Sequence, residues 1–568
     1  MKRTDESCDF VIVGSGGGSM CAALLMKANG KTPIILEKTE FVGGSTAMSG
    51  GVLWIPNSEL ARRAGVEDSP ARALEYLERL TTRPDPGRGG TRARREAFVE
   101  NGPRMLDFLA SQGVELERAV GYSDYYDDSP GGMAVGRAIV ARIFDVNRLG
   151  KTWAAKLRLS GLTLPLSITE ICRIGVVTRT MAGRKVAAQL VWRTLKSKLT
   201  GQRLVGAGAA LQGRMLEACL KAGVEVRPNS PVQKLIVENG RVTGVLVRDE
   251  SGERRIFGRL GVLINAGGFA RNARLREAYQ PGSSTAWTNA NPGDTGEMLE
   301  EVQRIGGSLD LMDESWWISI SLPPGQPGLL PMHIMDIAKP HAFLVDASGQ
   351  RFCNEAASYM EVGQRQRART REGVNATPAW MIFDSQHRSR YMVAGAQPGA
   401  TPREWIDKGY IKVARTMEEL ASQCGLPATA LLATQARFNG FAETGVDEDF
   451  HRGRRQYDKW FGDPTHRPSP TLGAVRKAPF YALQIYPGDV GTAGGVVTDE
   501  HARALTADDQ VIAGLYATGN SAAPVTGRYY VGPGTSIGAS FTFGYIAAQH
   551  ALAAADAGVA AKRRRRRS

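Results

Sequence analysis

No stretch of these 568 residues reaches the roughly 18 consecutive apolar positions that a membrane-spanning helix needs, which excludes a helical integral membrane protein. Cysteine is scarce. Cys8, Cys21, Cys172, Cys219, Cys353 and Cys424 are scattered and form no Cys-x-x-Cys pair, so neither a metal site nor a disulfide framework is indicated. Several lie in apolar runs and read as inert buried thiols, which fits a reducing compartment. A secretory signature is missing too, because Met1 to Ser7 is polar and a strand pattern follows at once. The expectation is a cytoplasmic protein, soluble or peripheral. Acidic residues are nearly absent from 151–205, where eleven Lys and Arg face Glu170 alone. That stretch carries +10 and the tail from Lys562 to Arg567 another +6, so the formal +14 of the chain leaves the rest close to neutral. No nucleic-acid motif accompanies these charges and they alternate with apolar residues, so a nucleic-acid partner is not expected.

The length exceeds one ordinary domain and implies two. Hydrophobic residues at 42% supply their cores, and 66 glycines suit a fold with many close backbone approaches. The first forty residues organise the rest. An apolar strand, Phe10 to Val13, runs into a glycine turn, a helix from Met20 to Gly30, and a second strand, Pro33 to Leu36, that ends on Glu37. A dinucleotide requires this order. Gly14 permits the tight turn, Gly16 lets main chain approach a pyrophosphate, and the helix N-terminus offers it positive charge. Glu37 follows Gly14 by 23 residues, where a carboxylate accepts hydrogen bonds from a ribose. The third small position of this fingerprint is Ser19 rather than glycine.

A second small-residue run, Val42 to Gly51, again allows main chain close to a cofactor. Pro70 to Leu80 and Arg94 to Gln112 read as helices, and Gly121 to Gly132 is an acidic turn with three tyrosines. The basic segment 151–205 reads as an insertion. A helix over Met181 to Leu199 places Ala188, Val191, Trp192, Leu195 and Leu199 on one stripe flanked by Arg184, Lys185, Lys196 and Lys198. A basic amphipathic helix with Trp in its apolar stripe suits a membrane surface, and the apolar run Leu162 to Ile168 lies near it in sequence. From Gly206 the dinucleotide pattern resumes: a helix over Leu211 to Ala222, then strands Val224 to Val226, Val232 to Val237, Val242 to Arg248 and Leu260 to Asn265. Residues from about 275 to 485 change character, with Trp287, Trp316, Trp317 and irregular spacing, and read as a separate cap. The pattern returns with a strand over Gly514 to Asn520, a glycine-rich loop to Gly538 and a helix over Ala539 to Ala555. The tail 556–568 reads as disordered.

With these pieces in place the sequence resembles flavoproteins of the fumarate reductase/succinate dehydrogenase superfamily, and within it the 3-ketosteroid Δ1-dehydrogenases. The flavin part rests on Val13-Gly-Ser-Gly-Gly-Gly18, Leu36-Glu-Lys38, Gly43-Gly-Ser-Thr-Ala47, Asn265-Ala-Gly-Gly-Phe269 and Ala517-Thr-Gly-Asn520. The steroid part rests on Asp124-Tyr-Tyr126 with Pro130-Gly-Gly132, Asn354-Glu-Ala-Ala-Ser-Tyr359 and Tyr530-Val-Gly-Pro-Gly534. The resemblance implies an α/β fold: a discontinuous Rossmann-like FAD-binding domain (1–275 and 486–555, carrying the insertion 151–205) and an inserted α+β catalytic domain (276–485). It implies FAD held by Gly14, Gly16, Gly17, Gly18, Ser19, Glu37 and Lys38, by Gly43, Gly44, Ser45, Thr46, Gly50 and Gly51, and by Val232, Ala266, Gly267 and Gly268. Gly519, Asn520, Thr535, Ser536 and Ile537 complete that set. FAD is expected to be non-covalent, since no His lies in 38–51.

The implied reaction is 1,2-dehydrogenation of a 3-keto-4-ene steroid, including ones that keep a sterol side chain such as cholest-4-en-3-one. The Tyr530 hydroxyl and Gly534 N–H would bond the C3 carbonyl, Tyr359 would take the C2 proton, and Tyr126 or Tyr125 would assist it. Donors at a developing enolate oxygen act strongly in a dry site. A tyrosine titrates at about 10, so as a base it needs a neighbour that stabilises its phenolate, such as a second hydroxyl. The resemblance also implies an external electron acceptor, quinone-like or an electron-transfer protein; the basic insertion 151–205, which the resemblance does not cover, points to a place on the inner face of the membrane. Alternatives are a 3-oxo-5α-steroid 4-dehydrogenase or another fumarate-reductase-like enzyme, or a hydratase or isomerase that uses flavin without net redox. Val531 to Gly534 holds no arginine for a dicarboxylate, which argues against a fumarate-like substrate.

Overall fold

A computed structural model of the chain describes residues 4–81, 85–159, 164–250, 252–325 and 328–565, the last nine by backbone only. The larger unit is built on an eight-stranded sheet. Its order is Arg503–Leu505, Val511–Ala517, Arg241–Asp249, Gly252–Ile264, Thr4–Val13, Pro33–Leu36 and Glu225–Arg227, with Val232–Glu238 paired to Arg241–Asp249. Phe10 to Val13 does not alternate with polar residues because both faces of the strand are covered. Phe10 and Ile12 join one buried cluster and Val11 and Val13 another. Thr4–Val13 runs parallel to both neighbours, with Val13 opposite Leu36 and Ile264, and Ile264 in turn opposite Ala517. This register sets Gly14, Glu37, Asn265 and Thr518 side by side, just past the carboxyl ends of four strands, where open α/β sheets hold their ligands.

The helix Gly17–Ala28 crosses the last helix, Thr535–Arg565, at close range. A Cβ on Gly17 would overlap the Phe541 ring, one on Gly18 the Ser540 carbonyl, and one on Gly544 the Gly18 carbonyl. The last helix therefore begins before Ala539 and extends through much of the segment expected to be disordered; residues 566–568 lie outside the described ones.

The region with irregular spacing holds a five-stranded antiparallel sheet. Ser315–Ile320, Phe480–Thr492, Ala379–Asp384 and Ala342–Val345 follow in that order, and Ile411–Ala414 also pairs with Phe480–Thr492. The boundary expected at 485/486 falls inside its longest strand. Helix Tyr359–Arg371 lies against Ser315–Ile320, where only a glycine at 363 clears Trp317.

In the basic segment the helices are Gly150–Lys156, Ile168–Ile174 and Met181–Thr200. The last is capped by Thr180, whose hydroxyl accepts the Gly183 N–H at 3.0 Å. It buries only Gly183 and Val186, and its apolar stripe points away from the protein. Met181 is 75% exposed, Trp192 66% and Leu199 87%, with Val191 and Leu195 also exposed. Leu164 adds to this surface, while the start of the expected run, Leu162 and Thr163, lies outside the described residues.

Candidate active site

A cavity of about 390 Å³ opens between the carboxyl edge of the large sheet, the strand Ser315–Ile320 and the start of helix Tyr359–Arg371. At its sheet end the glycine turn has the form a dinucleotide needs. Gly14 has φ +93°, and a Cβ there would overlap the Asn265 carbonyl. Gly16 caps the first helix without any side-chain bond. The nearest atoms to a Cβ on Gly44 are main-chain atoms of Gly16, so two bare backbone segments face each other here. The Glu37 carboxylate is held by the Ser15 hydroxyl at 2.6 Å and by the Thr39 N–H and hydroxyl at 3.0 Å each, and it faces the cavity. Lys38 reaches Thr295 at 2.5 Å and Glu297 at 2.9 Å. Ser45 donates to Asp294 at 3.0 Å. Burial pushes the Asp294 carboxyl up to about 7, against the Ser45 hydroxyl and the Lys38 charge, which pull it down.

Of the expected cofactor residues, Gly14, Gly16, Glu37, Lys38, Gly44, Ser45, Thr46, Gly50, Gly51 and Val232 line the cavity. Ala266, Gly267, Gly519, Asn520, Ser536 and Ile537 do so as well. The others stand behind it. Gly17 and Gly18 serve the helix crossing described above, and Ser19 accepts the Asn265 side-chain amide at 3.1 Å. The Gly43 N–H donates to Ser15 at 2.9 Å, a Cβ on Gly268 would overlap Thr492, and the Thr535 hydroxyl closes on the Gly532 carbonyl at 2.8 Å. Asp294, Asn291, Tyr122 and Trp316 line the cavity and are not among the expected site residues. Tyr122 belongs to the three-tyrosine turn and Trp316 to the Trp316–Trp317 pair, legible in the sequence without a role, and the glycine- and Asx-rich run Asn289 to Gly296 is the signal for Asn291 and Asp294. These residues fit FAD: an uncapped helix start faces a cradle in which side chains are missing, and a held carboxylate stands beyond it. Bound there, FAD supplies a two-electron acceptor.

At the other end three tyrosines meet from distant parts of the chain. Tyr359 and Tyr530 have ring centroids 5.3 Å apart, and Tyr125 stands 5.8 Å from the first and 5.6 Å from the second. Trp316 lies 5.1 Å from Tyr530 and donates its indole N–H to Asn520 at 2.9 Å. The Tyr530 hydroxyl sits 3.1 Å from that of Ser536. Tyr126 does not join them. Its ring lies 4.8 Å from the Arg455 guanidinium and 6.3 Å from Tyr529, and its phenol turns to Glu361. Gly534 has φ +84°, and a Cβ there would overlap the Val52 carbonyl. Its own carbonyl accepts the N–H groups of Trp54 and Gly538, while its N–H has no acceptor among the described residues.

The electrostatics depart from the sequence expectation in one respect. Burial pushes the Tyr359 phenol well above its ordinary value, and the Tyr530 phenol beside it pushes the same way. Burial raises Tyr125 and Tyr122 as well. At neutral pH these three are phenols.

The family model for the FAD binding domain matches residues 9–537. The 3-oxosteroid 1-dehydrogenase of Mycobacterium tuberculosis is 40% identical over 564 residues, spanning 96% of this chain and 98% of its own. That of Mycolicibacterium smegmatis is 39% identical, spanning 98% and 99%. Among solved structures, 3-ketosteroid Δ1-dehydrogenase from Sterolibacterium denitrificans, in complex with 1,4-androstadiene-3,17-dione, superposes with a TM-score of 0.88 at 33% identity. That match covers 97% of this chain and all of the other. By its nucleotide cradle, its paired sheets and these relationships, the chain belongs to the FAD-binding flavoproteins and, within them, to the family of the 3-oxosteroid 1-dehydrogenases.

Proposed function

We propose that this chain is an FAD-dependent oxidoreductase that introduces the 1,2 double bond into 3-keto-4-ene steroids. One observation carries the reading: phenols at 125, 359 and 530 converge on the cavity beside a Gly534 N–H that has no acceptor among the described residues. The Tyr530 hydroxyl and Gly534 N–H bind the C3 carbonyl oxygen, where charge grows as the C2 proton leaves. Tyr359, through its ionised fraction, takes that proton, and Tyr125 stands against both rings. FAD held in the cradle would supply the two-electron acceptor for the hydride that leaves C1, and turnover needs an external acceptor, quinone-like or an electron-transfer protein. Tyr122, Trp316, Ile318, Met332 and Ile334 give the cavity the flat and apolar surfaces that suit a fused-ring ketone.

The purified protein, loaded with FAD, is bleached under anaerobic conditions by androst-4-ene-3,17-dione or cholest-4-en-3-one and yields the cross-conjugated 1,4-dien-3-one. A flavin that stays oxidised with both ends the proposal; bleaching instead by a 5α-saturated 3-ketosteroid, with the 4-ene as product, turns it toward a 4-dehydrogenase. Our reading extends to the insertion. Its exposed apolar stripe, with Arg184, Lys185, Lys196 and Lys198 exposed around it, suits the surface of an anionic bilayer. Ile168, from the same insertion, lines the cavity, so a greasy ketone leaving lipid would reach the site along this segment.

A further inference from the structure

The two halves of this site ride on loops, and a buried group that does not line the cavity bridges them. The Val531 carbonyl, next to Tyr530, accepts both the Tyr125 N–H at 3.0 Å and the Tyr76 hydroxyl at 2.6 Å. The Tyr76 hydroxyl in turn accepts the Tyr126 N–H at 3.2 Å. One phenol on the helix Pro70–Thr81 thus bridges the loop of Tyr125 to the loop of Tyr530 and Gly534.

A second bridge runs beside it. The Trp54 indole N–H donates to Asp124 at 2.7 Å; Arg137 and the Met133 N–H hold the other carboxylate oxygen at 2.9 and 3.1 Å. Arg137 is anchored by Asp68 at 2.8 Å. Trp54 also reaches the other loop: its main-chain N–H donates to the Gly534 carbonyl at 3.2 Å, and Gly532 lies so close on its ring that no Cβ fits. The Trp54 ring sits between Phe98 at 6.0 Å and Tyr76 at 6.2 Å. Tyr76, Trp54, Asp124 and Arg137 are all at most 2% exposed, and none lines the cavity.

We propose that Tyr76, together with the Trp54–Asp124 pair, is a positioning clamp that sets the distance between Tyr125 and the Tyr530–Gly534 loop. The kinetic part rests on the reaction proposed above; the structural part does not. A group misplaced by a fraction of an ångström loses rate steeply while binding surface is kept. The effect of loosening the clamp therefore falls on kcat and spares KM.

Tyr76→Phe removes one oxygen and keeps the ring, so folding is preserved. Trp54→Phe removes the indole donor. In the FAD-loaded variants kcat for ketosteroid is expected to fall by about tenfold or more with KM held within about twofold, flavin content unchanged. A folded variant of either kind with kcat within about twofold of the parent, or a loss confined to KM, overturns the clamp. If Trp54→Phe does not fold, Tyr76→Phe decides alone. A crystal structure of Tyr76→Phe is expected to show the Tyr125 and Tyr530 rings moved from their 5.6 Å separation. Unmoved rings overturn the clamp whatever the reaction proves to be. Parent enzyme that no ketosteroid bleaches overturns the proposed function instead.

Discussion

At the scale of single residues, Tyr359 and Gly534 lead to different experiments. Since burial and the neighbouring Tyr530 phenol hold Tyr359 as a phenol, its ionised fraction grows tenfold with each pH unit below its pKa. With Tyr359 as base, log kcat/KM for flavin reduction rises with pH from 7 towards about 10 with a slope of about one. A flat profile there removes Tyr359 from the role. Tyr359→Phe is expected to lose on the order of 10²–10⁴ in rate with little change in Tm. Gly534→Ala acts through the backbone. A side chain at φ +84° against the Val52 carbonyl forces the loop to move, so both Tm and rate fall, whereas Tyr530→Phe lowers the rate by about 10²–10³ and spares Tm. Residues of this kind differ in how far the sequence reveals them. Gly14 announces itself because a tight turn after an apolar strand leaves a local pattern. Gly17 and Gly18 carry the same pattern, yet they answer to Phe541 and Ser540, more than 500 positions away. Asp294 and Trp316 become site residues only through tertiary packing. The tyrosines at 125 and 126 are equal in sequence, and Arg455 and Glu361 on one side and Tyr359 on the other separate them.

At the scale of elements, periodicity was informative wherever one face of a segment meets solvent. Helices Pro70–Thr81 and Arg92–Ser111 begin and end close to their expected bounds. The strands Ser315–Ile320 and Ala379–Asp384 gave no such signal, because all six residues of each are buried and no alternation survives. The helix Met181–Thr200 is the opposite case. Its stripe was legible, and the fold leaves that stripe uncovered instead of packing it on the core. Paired substitutions Trp192→Glu and Leu195→Glu are expected to release the protein from vesicles containing anionic lipid, with unchanged kcat on a water-soluble ketosteroid. Each basic residue near such a surface contributes on the order of 1 kcal/mol, so 0.5 M salt, roughly, weakens binding by the same vesicles. Sedimentation with vesicles that neither charge nor salt alters defeats the membrane reading.

At the scale of the whole molecule, buried polar bonds stitch the two sheets together. The Thr492 hydroxyl, on the longest strand of the second sheet, accepts the Phe269 N–H at 3.1 Å, and Asn520 holds Trp316. Asp489 on that same strand pairs with Arg276 and accepts the Thr288 hydroxyl at 2.6 Å; the Arg276 and Asp489 side chains are 2% and 1% exposed. A buried guanidinium stripped of its carboxylate costs about 3–5 kcal/mol, while the pair itself adds far less than that. Asp489→Asn is therefore expected to lower Tm markedly and to do so for both sheets at once. FAD acts in the same direction: residues from both units line its cavity, so loading at about 1,000 times Kd adds on the order of 4 kcal/mol to a common folded state. Calorimetry of the holoenzyme should give a single transition coincident with flavin release, shifted down as one peak by Asp489→Asn or by removing FAD. Two resolved transitions, only one of which responds to the substitution, would mean that the stitching between the sheets does not couple them.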